Sequence, residues 1–137
     1  MLRLPTEVRD AIVAHARRDH PNEACGLVIG PAGSDRPERV VEMLNSAASP
    51  TFYQFDSMEQ LRVWNAMDEA DEEPVVIYHS HTATAAYPSR TDIDRAQEPN
   101  AHYLLVSTAD GQAVELRSYR IVDGQVTEEP VELVAGR

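Results

Sequence analysis

Apolar residues recur every fourth position near the start of the chain, at Val8, Ile12 and Ala16. They draw one stripe that predicts a helix over residues 5–19, with Pro5 or Thr6 suited to its start. Pro21 and Asn22 interrupt the chain. The apolar run 24–29, closed by Gly30 and Pro31, then reads as a buried strand. The stretch 31–38 is a turn, 39–44 the next strand and 45–50 a polar loop. Asp56 followed three residues on by Glu59 marks a helix start. Met58, Leu61, Trp64 and Met67 then share a helical face, which reads as core. Pro74 closes the loop after this helix. The run 75–78 is apolar on both sides, as in a strand covered on both faces. Residues 89–97 read as a short helix and 102–107 as a strand. Asp110-Gly111 and Asp123-Gly124 are two-residue hairpin signals, so the C-terminal third becomes an antiparallel meander of three strands. These elements add up to an α/β fold, a mixed sheet flanked by helices.

A length of 137 residues predicts a single domain, 1–137, with one core. No apolar run is long enough to span a bilayer, and the N-terminal MLRLPTEVRD lacks the apolar stretch of a secretory signal. Cys25 stands alone, which rules out an internal disulfide and a four-cysteine zinc site. Together these points predict a cytoplasmic protein with no membrane partner. The net charge of -11, without a basic stripe, argues against nucleic acid as a partner. Much of that charge sits in residues 68–73, expected to end a helix in solvent.

The chemistry concentrates after the central strand. There the chain runs HSHTATAAYPSRTD, or H-S-H-x7-S-x-x-D. His79 and His81, one residue apart on an extended chain, point to the same face. A carboxylate from the following loop can complete a three-ligand site with an open fourth position, the arrangement of a catalytic zinc. Asp92 suits this role better than Asp94, which faces elsewhere on a helix. Ser89 and Asp92 also fit an ordinary N-cap, and the two readings are compatible. Ser89 can cap the helix or offer its hydroxyl to an oxyanion. Glu23 is not placed by spacing; such a carboxylate is usually solvated, yet a metal-hydroxide mechanism needs a base beside its water. Cys25 reads as a small buried apolar residue rather than a nucleophile. His15, His20 and His102 have no partner at ligand spacing. The one-cysteine count also excludes the zinc deaminase pattern.

Glu23 within EACGLVIG, taken with H-S-H-x7-S-x-x-D, resembles the JAMM (MPN-plus) metallopeptidase family over most of the chain. The resemblance implies the JAMM/MPN fold, of cytidine deaminase-like type, and one Zn2+ per chain. It makes His79, His81 and Asp92 the zinc ligands, Glu23 the base on the zinc water and Ser89 the oxyanion donor. The chain departs from many bacterial members at Thr82, where they carry proline. The strings HTATAAYPSRTD and RSYRIVDGQVTEEPV are similar to the actinobacterial Mec-type peptidases. Those release cysteine from the C-terminus of a small ubiquitin-like sulfur-carrier protein, in cysteine biosynthesis, and the resemblance implies a carrier with a Gly-Gly tail as partner. The alternatives are an isopeptidase that removes such tags from lysine and a non-catalytic scaffold. Arg90 is the expected partner for the carboxylate of a released amino acid. Residues 51–55, with Tyr53 among them, form the expected wall of a groove in which a flexible tail adds as a strand.

Overall fold

The computed structural model of the protein describes residues 1–111 and 113–135. Strand β1 (Leu2–Pro5) leads into helix α1 (Thr6–Asp19), with Val8, Ile12 and Ala16 buried as their spacing predicts. There follow β2 (Cys25–Pro31), β3 (Arg39–Met43), α2 (Ser57–Ala70), β4 (Glu72–His81), α3 (Arg90–Arg95) and β5 (His102–Ser107). Strands β6 (Glu115–Val122), β7 (Gln125–Glu129) and β8 (Val131–Val134) complete the described chain.

Six strands make one sheet in the order β3-β2-β4-β5-β6-β7. Every neighbouring pair is antiparallel except β4 and β5, whose parallel connection carries α3. Central β4 separates two apolar clusters. Val76 and Tyr78 face α1, with Leu104, Val106 and Ile12. Ile77 faces the other way, with Leu27, Leu105 and Met67 of α2. The mixed sheet flanked by helices and the closing antiparallel strands β5-β6-β7 are as predicted.

Several local expectations need correction. Pro74 does not close a loop; it lies inside β4, which starts at Glu72 and pairs with β2. A proline lacks the N–H a regular ladder requires, and it is accommodated beside a register shift opposite Val28 and Ile29. That shift turns consecutive Val75 and Val76 into the same cluster. The acidic run therefore does not simply end a helix: Asp71 takes a left-handed cap conformation, φ 56°, and Glu72 and Glu73 are already strand. On α2 the buried side is formed by Val63, Trp64 and Met67, while Met58 and Leu61 are exposed rather than core. Asp123-Gly124 is a two-residue turn with both φ positive, as predicted. Asp110-Gly111 is not, because the β5–β6 connection runs from 108 to 114. Strands β1 and β8, unforeseen, pair in parallel as a separate two-stranded sheet.

Close approach of β2 to β4 depends on Gly26, paired with Tyr78. A Cβ there would collide with the Tyr78 ring and hydroxyl. The ring is buried, and its hydroxyl lies 2.7 Å from His15 Nδ1, so it has little room to retreat. Gly26→Ala is expected to cost about 1–3 kcal/mol, read as a fall in urea midpoint with an unchanged m-value.

His102 is fully buried between two carboxylates, Glu129 Oε2 at 2.6 Å and Asp35 Oδ1 at 2.7 Å. Burial would raise the Glu129 pKa, but the hydrogen bonds of His102 and Ser118 and the charge of His102 outweigh it, lowering it to about 2. The folded value lies below the unfolded one, so this stabilisation is present above about pH 4.5 and is lost as pH falls toward 2. After solvent screening it amounts to about 1–2 kcal/mol. Denaturant titrations should show Glu129→Gln less stable by that amount at pH 7, with the gap closing in acid.

Candidate metal centre and active site

The histidine pair occupies the C-terminal end of β4, on the face away from α1. His79 is across from Cys25 in the antiparallel β2–β4 register. The register continues past the end of β2, where Ser80 N–H donates to the Ala24 carbonyl (2.9 Å) and Ala24 N–H donates to Ser80 Oγ (2.8 Å). Glu23 therefore falls opposite His81 on the same side. The Glu23 side chain is not solvated: the residue is 5% exposed. Burial raises its pKa to about 7; the charge of His81 lowers it and that of Asp92 raises it further.

Asp92 enters from α3. Ser89 Oγ accepts the Asp92 amide hydrogen (3.1 Å), and Asp92 Oδ2 accepts that of Ser89 (2.9 Å), a reciprocal capping box. Asp92 Oδ2 is also 3.1 Å from His79 Nε2 and 3.0 Å from His81 Nε2, and the two Nε2 atoms are 3.2 Å apart. The capping box thus aims the carboxylate at the imidazoles, and the Ser89 hydroxyl keeps its own proton to donate. His81 Nδ1 is placed to donate to the Ala85 carbonyl (3.0 Å), which would leave Nε2 free to ligate a metal in place of its hydrogen bond to Asp92. The His79 ring stacks on Tyr53, centroids 4.4 Å apart, and its buried Nδ1 has no partner among the described residues.

These three atoms fit a divalent ion. Tetrahedral zinc with bonds of about 2.0–2.2 Å sets its ligand atoms about 3.3–3.5 Å apart, close to the 3.0–3.2 Å observed. His79 is held neutral by burial, its pKa lowered against the pull of Asp92. Burial would raise the Asp92 pKa, but the two imidazoles and the Ser89 amide hold it well below the usual carboxylate range. A neutral imidazole and an ionised carboxylate are the forms that bind metal. Cys25, by contrast, is buried and its thiol is pushed up to about 12, mainly by burial, so it remains protonated as the sequence reading expected.

Residues 5–122 match the prokaryotic homologs of the JAB domain. The chain belongs to that family. The CysO-cysteine peptidase of Mycobacterium tuberculosis is 66% identical over 134 residues, covering 98% of this chain and 92% of its own. The desampylase of Haloferax volcanii is 34% identical over 111 residues, 77% of this chain and 80% of that one. The solution structure of a Desulfitobacterium hafniense protein superposes with a TM-score of 0.84 at 35% identity, covering 98% of this chain and 94% of that one.

In this JAB-family chain Asp92 lines a pocket of about 220 Å³ between residues 52–55, the N-terminal half of α2 and α3. Tyr53 lines it, so the segment expected as a groove wall does border the site. Phe55 packs half-buried toward Trp64, with centroids 6.3 Å apart. Arg90, expected to meet a substrate carboxylate, is exposed and does not line this pocket. The cation that does is Arg95, one turn beyond Asp92. Two further residues were not singled out from the sequence. Asn45 donates from Nδ2 to the Glu23 and Phe52 carbonyls, both 3.0 Å, and ties Glu23 to the pocket wall. Ser80 fastens the start of β2 between the histidines. The polar, small character of 45–50 signalled a loop, but not which side chain would knit it.

Proposed function

We propose that residues 1–137 form one zinc peptidase domain that cleaves the amide bond between the C-terminal Gly-Gly tail of a small ubiquitin-like sulfur-carrier protein and cysteine. The convergence of His79, His81 and Asp92, with Glu23 opposite His81, carries the reading. High identity to proteins named CysO-cysteine peptidase supplies the substrate. Peptidase chemistry is common to those relatives.

A zinc ion held by His79, His81 and Asp92 would polarise the scissile carbonyl and acidify a water at the open position. Glu23 takes the proton of the attacking water. Its burial keeps its basicity high enough for that step and for returning the proton to the departing amine. Ser89, anchored by its N-cap role, donates its hydroxyl proton to the oxyanion. The Asn45 and Ser80 hydrogen bonds keep Glu23 aligned with the β4 ligands. Zinc is the metal favoured by two imidazoles and a carboxylate. A lone, buried, unreactive thiol suits a cytoplasmic enzyme of cysteine biosynthesis.

The test is mass spectrometry of a carrier ending in Gly-Gly-Cys, run beside the same carrier branched onto a lysine side chain. Loss of one cysteine, blocked by chelator, with the branched conjugate left intact, is the expected result. Faster release of the lysine-linked tag would replace this reading with isopeptidase action. Inertness toward both, with metal supplied, would leave a scaffold.

A further inference from the structure

In a chain of net charge -11, Arg95 is the arginine that lines the pocket beside Asp92. Its guanidinium lies 4.8 Å above the centre of the Phe52 ring, and it lines the same pocket as Asp92 and Tyr53. No described carboxylate lies within ion-pair distance of it; the same holds for Arg17, Arg62 and Arg90, but of these four Arg95 alone lines the pocket, and Arg3, Arg9, Arg18, Arg36, Arg39, Arg117 and Arg120 all have carboxylate partners. The contact with the Phe52 ring holds the guanidinium at the pocket without satisfying its N–H donors. The result is a positioned fork of free donors beside the metal-site carboxylate.

Placement narrows what the fork can receive. In a peptide whose last residue is being released, the α-carboxylate is three bonds from the attacked carbonyl carbon. Its receptor must lie within about one side-chain length of the metal ligands. Arg95 meets this condition because residues three apart on a helix are neighbours on one face, about 5–6 Å between Cβ atoms, and Asp92 is the residue three before it. Arg90 does not, being at the exposed start of α3, outside the pocket. A lysine-linked substrate offers an uncharged side-chain methylene, the lysine Cδ, at the corresponding place and would leave the guanidinium unmatched.

We infer that Arg95 is a specificity residue that binds the free α-carboxylate of the departing C-terminal amino acid and so selects end-release over internal or branched amide cleavage. The inference rests on the peptidase reading above. A guanidinium–carboxylate fork is planar and bidentate, which lysine cannot reproduce.

The experiment compares two substrates, the carrier ending in Gly-Gly-Cys with a free carboxylate and the same carrier ending in cysteine amide. Each is tested against the zinc-loaded wild type, Arg95→Gln and Arg95→Lys. The wild type should prefer the carboxylate by about ten- to a hundredfold in kcat/KM, the scale of one charge-assisted fork. Arg95→Gln should lose most of that preference, chiefly through KM on the carboxylate substrate, while the amide substrate changes by less than about threefold. Arg95→Lys should restore part of it. Metal content and circular dichroism should be unchanged in both variants, since Arg95 is exposed and ligates nothing. A carboxylate-to-amide ratio that survives Arg95→Gln overturns the inference. So does an equal loss on both substrates, which would place Arg95 against the carrier's tail instead. Failure of the wild type to cleave either substrate would instead bring down the underlying peptidase reading.

Discussion

Glutamine at position 23 should lower kcat by about a hundred- to ten-thousandfold, the range supplied by a positioned proton-transfer group, and leave the bound metal in place. The substitution keeps the shape of the side chain and removes only its capacity to take a proton. Glu23 is not one of the three converging ligand atoms, so inductively coupled plasma mass spectrometry should still find one zinc per chain. Stability separates this loss from misfolding. Burial raises the Glu23 pKa from 4.5 to about 7, so ionising it within the fold is unfavourable. With the folded value above the unfolded one, its stabilising contribution is present below about pH 4.5 and lost as pH rises through 7. Metal-free Glu23→Gln should therefore be at least as stable as the metal-free wild type at pH 8, while nearly inactive when loaded. A variant with more than about a tenth of wild-type kcat would remove Glu23 from the role of base.

The ease with which this site could be read from the sequence follows from how local its parts are. His79, Ser80 and His81 belong to one strand, and Ser89 and Asp92 to one helical turn. Strand alternation and capping rules place each group from its own neighbours. Glu23 was harder, because its burial and its position opposite His81 arise from β2–β4 pairing across more than fifty residues. The β1–β8 pair escaped notice for the same reason: four-residue strands at opposite ends of the chain carry little periodic signal and define each other only on contact. On α2, Met58 and Leu61 kept helical spacing yet remained exposed, because hydrophobic periodicity gives a stripe but not the length over which another element covers it. Pro74 misled in the opposite direction, since a bulge admits a residue that a regular central strand would reject. Arg95 illustrates a further limit. Its offset of three from Asp92 was visible, but its lack of a carboxylate partner among the described residues and its seat on Phe52 are facts of tertiary structure.

Replacing Asp92 with asparagine should abolish stoichiometric zinc binding and reduce activity at least about a thousandfold, matching the loss on chelating the wild type. Asparagine can still accept the Ser89 amide hydrogen, so α3 should keep much of its N-terminal cap. What disappears is the negative charge that faces both imidazoles at 3.0–3.1 Å. Two neutral histidines alone leave the ion with one fewer anionic ligand, and zinc sites lose affinity steeply with such a change. Calorimetry provides a readout independent of turnover. A thousandfold excess of free zinc over its dissociation constant stabilises the fold by about 4 kcal/mol, a rise of about 14 °C in Tm for a chain of this size. The wild type should show that rise and Asp92→Asn almost none. Without metal the order of stability is set by a different effect. The imidazoles and the Ser89 amide overcome burial to hold the Asp92 pKa below its ordinary 3.8. Its ionised form therefore stabilises the metal-free fold above about pH 4, and that contribution fades as pH falls. Metal-free Asp92→Asn should be the less stable protein at pH 7 and should approach the wild type in acid, whereas the zinc-dependent gap exists only where zinc is present. A variant that still retained one zinc per chain would show that the three atoms converging at the end of β4 are not the metal site.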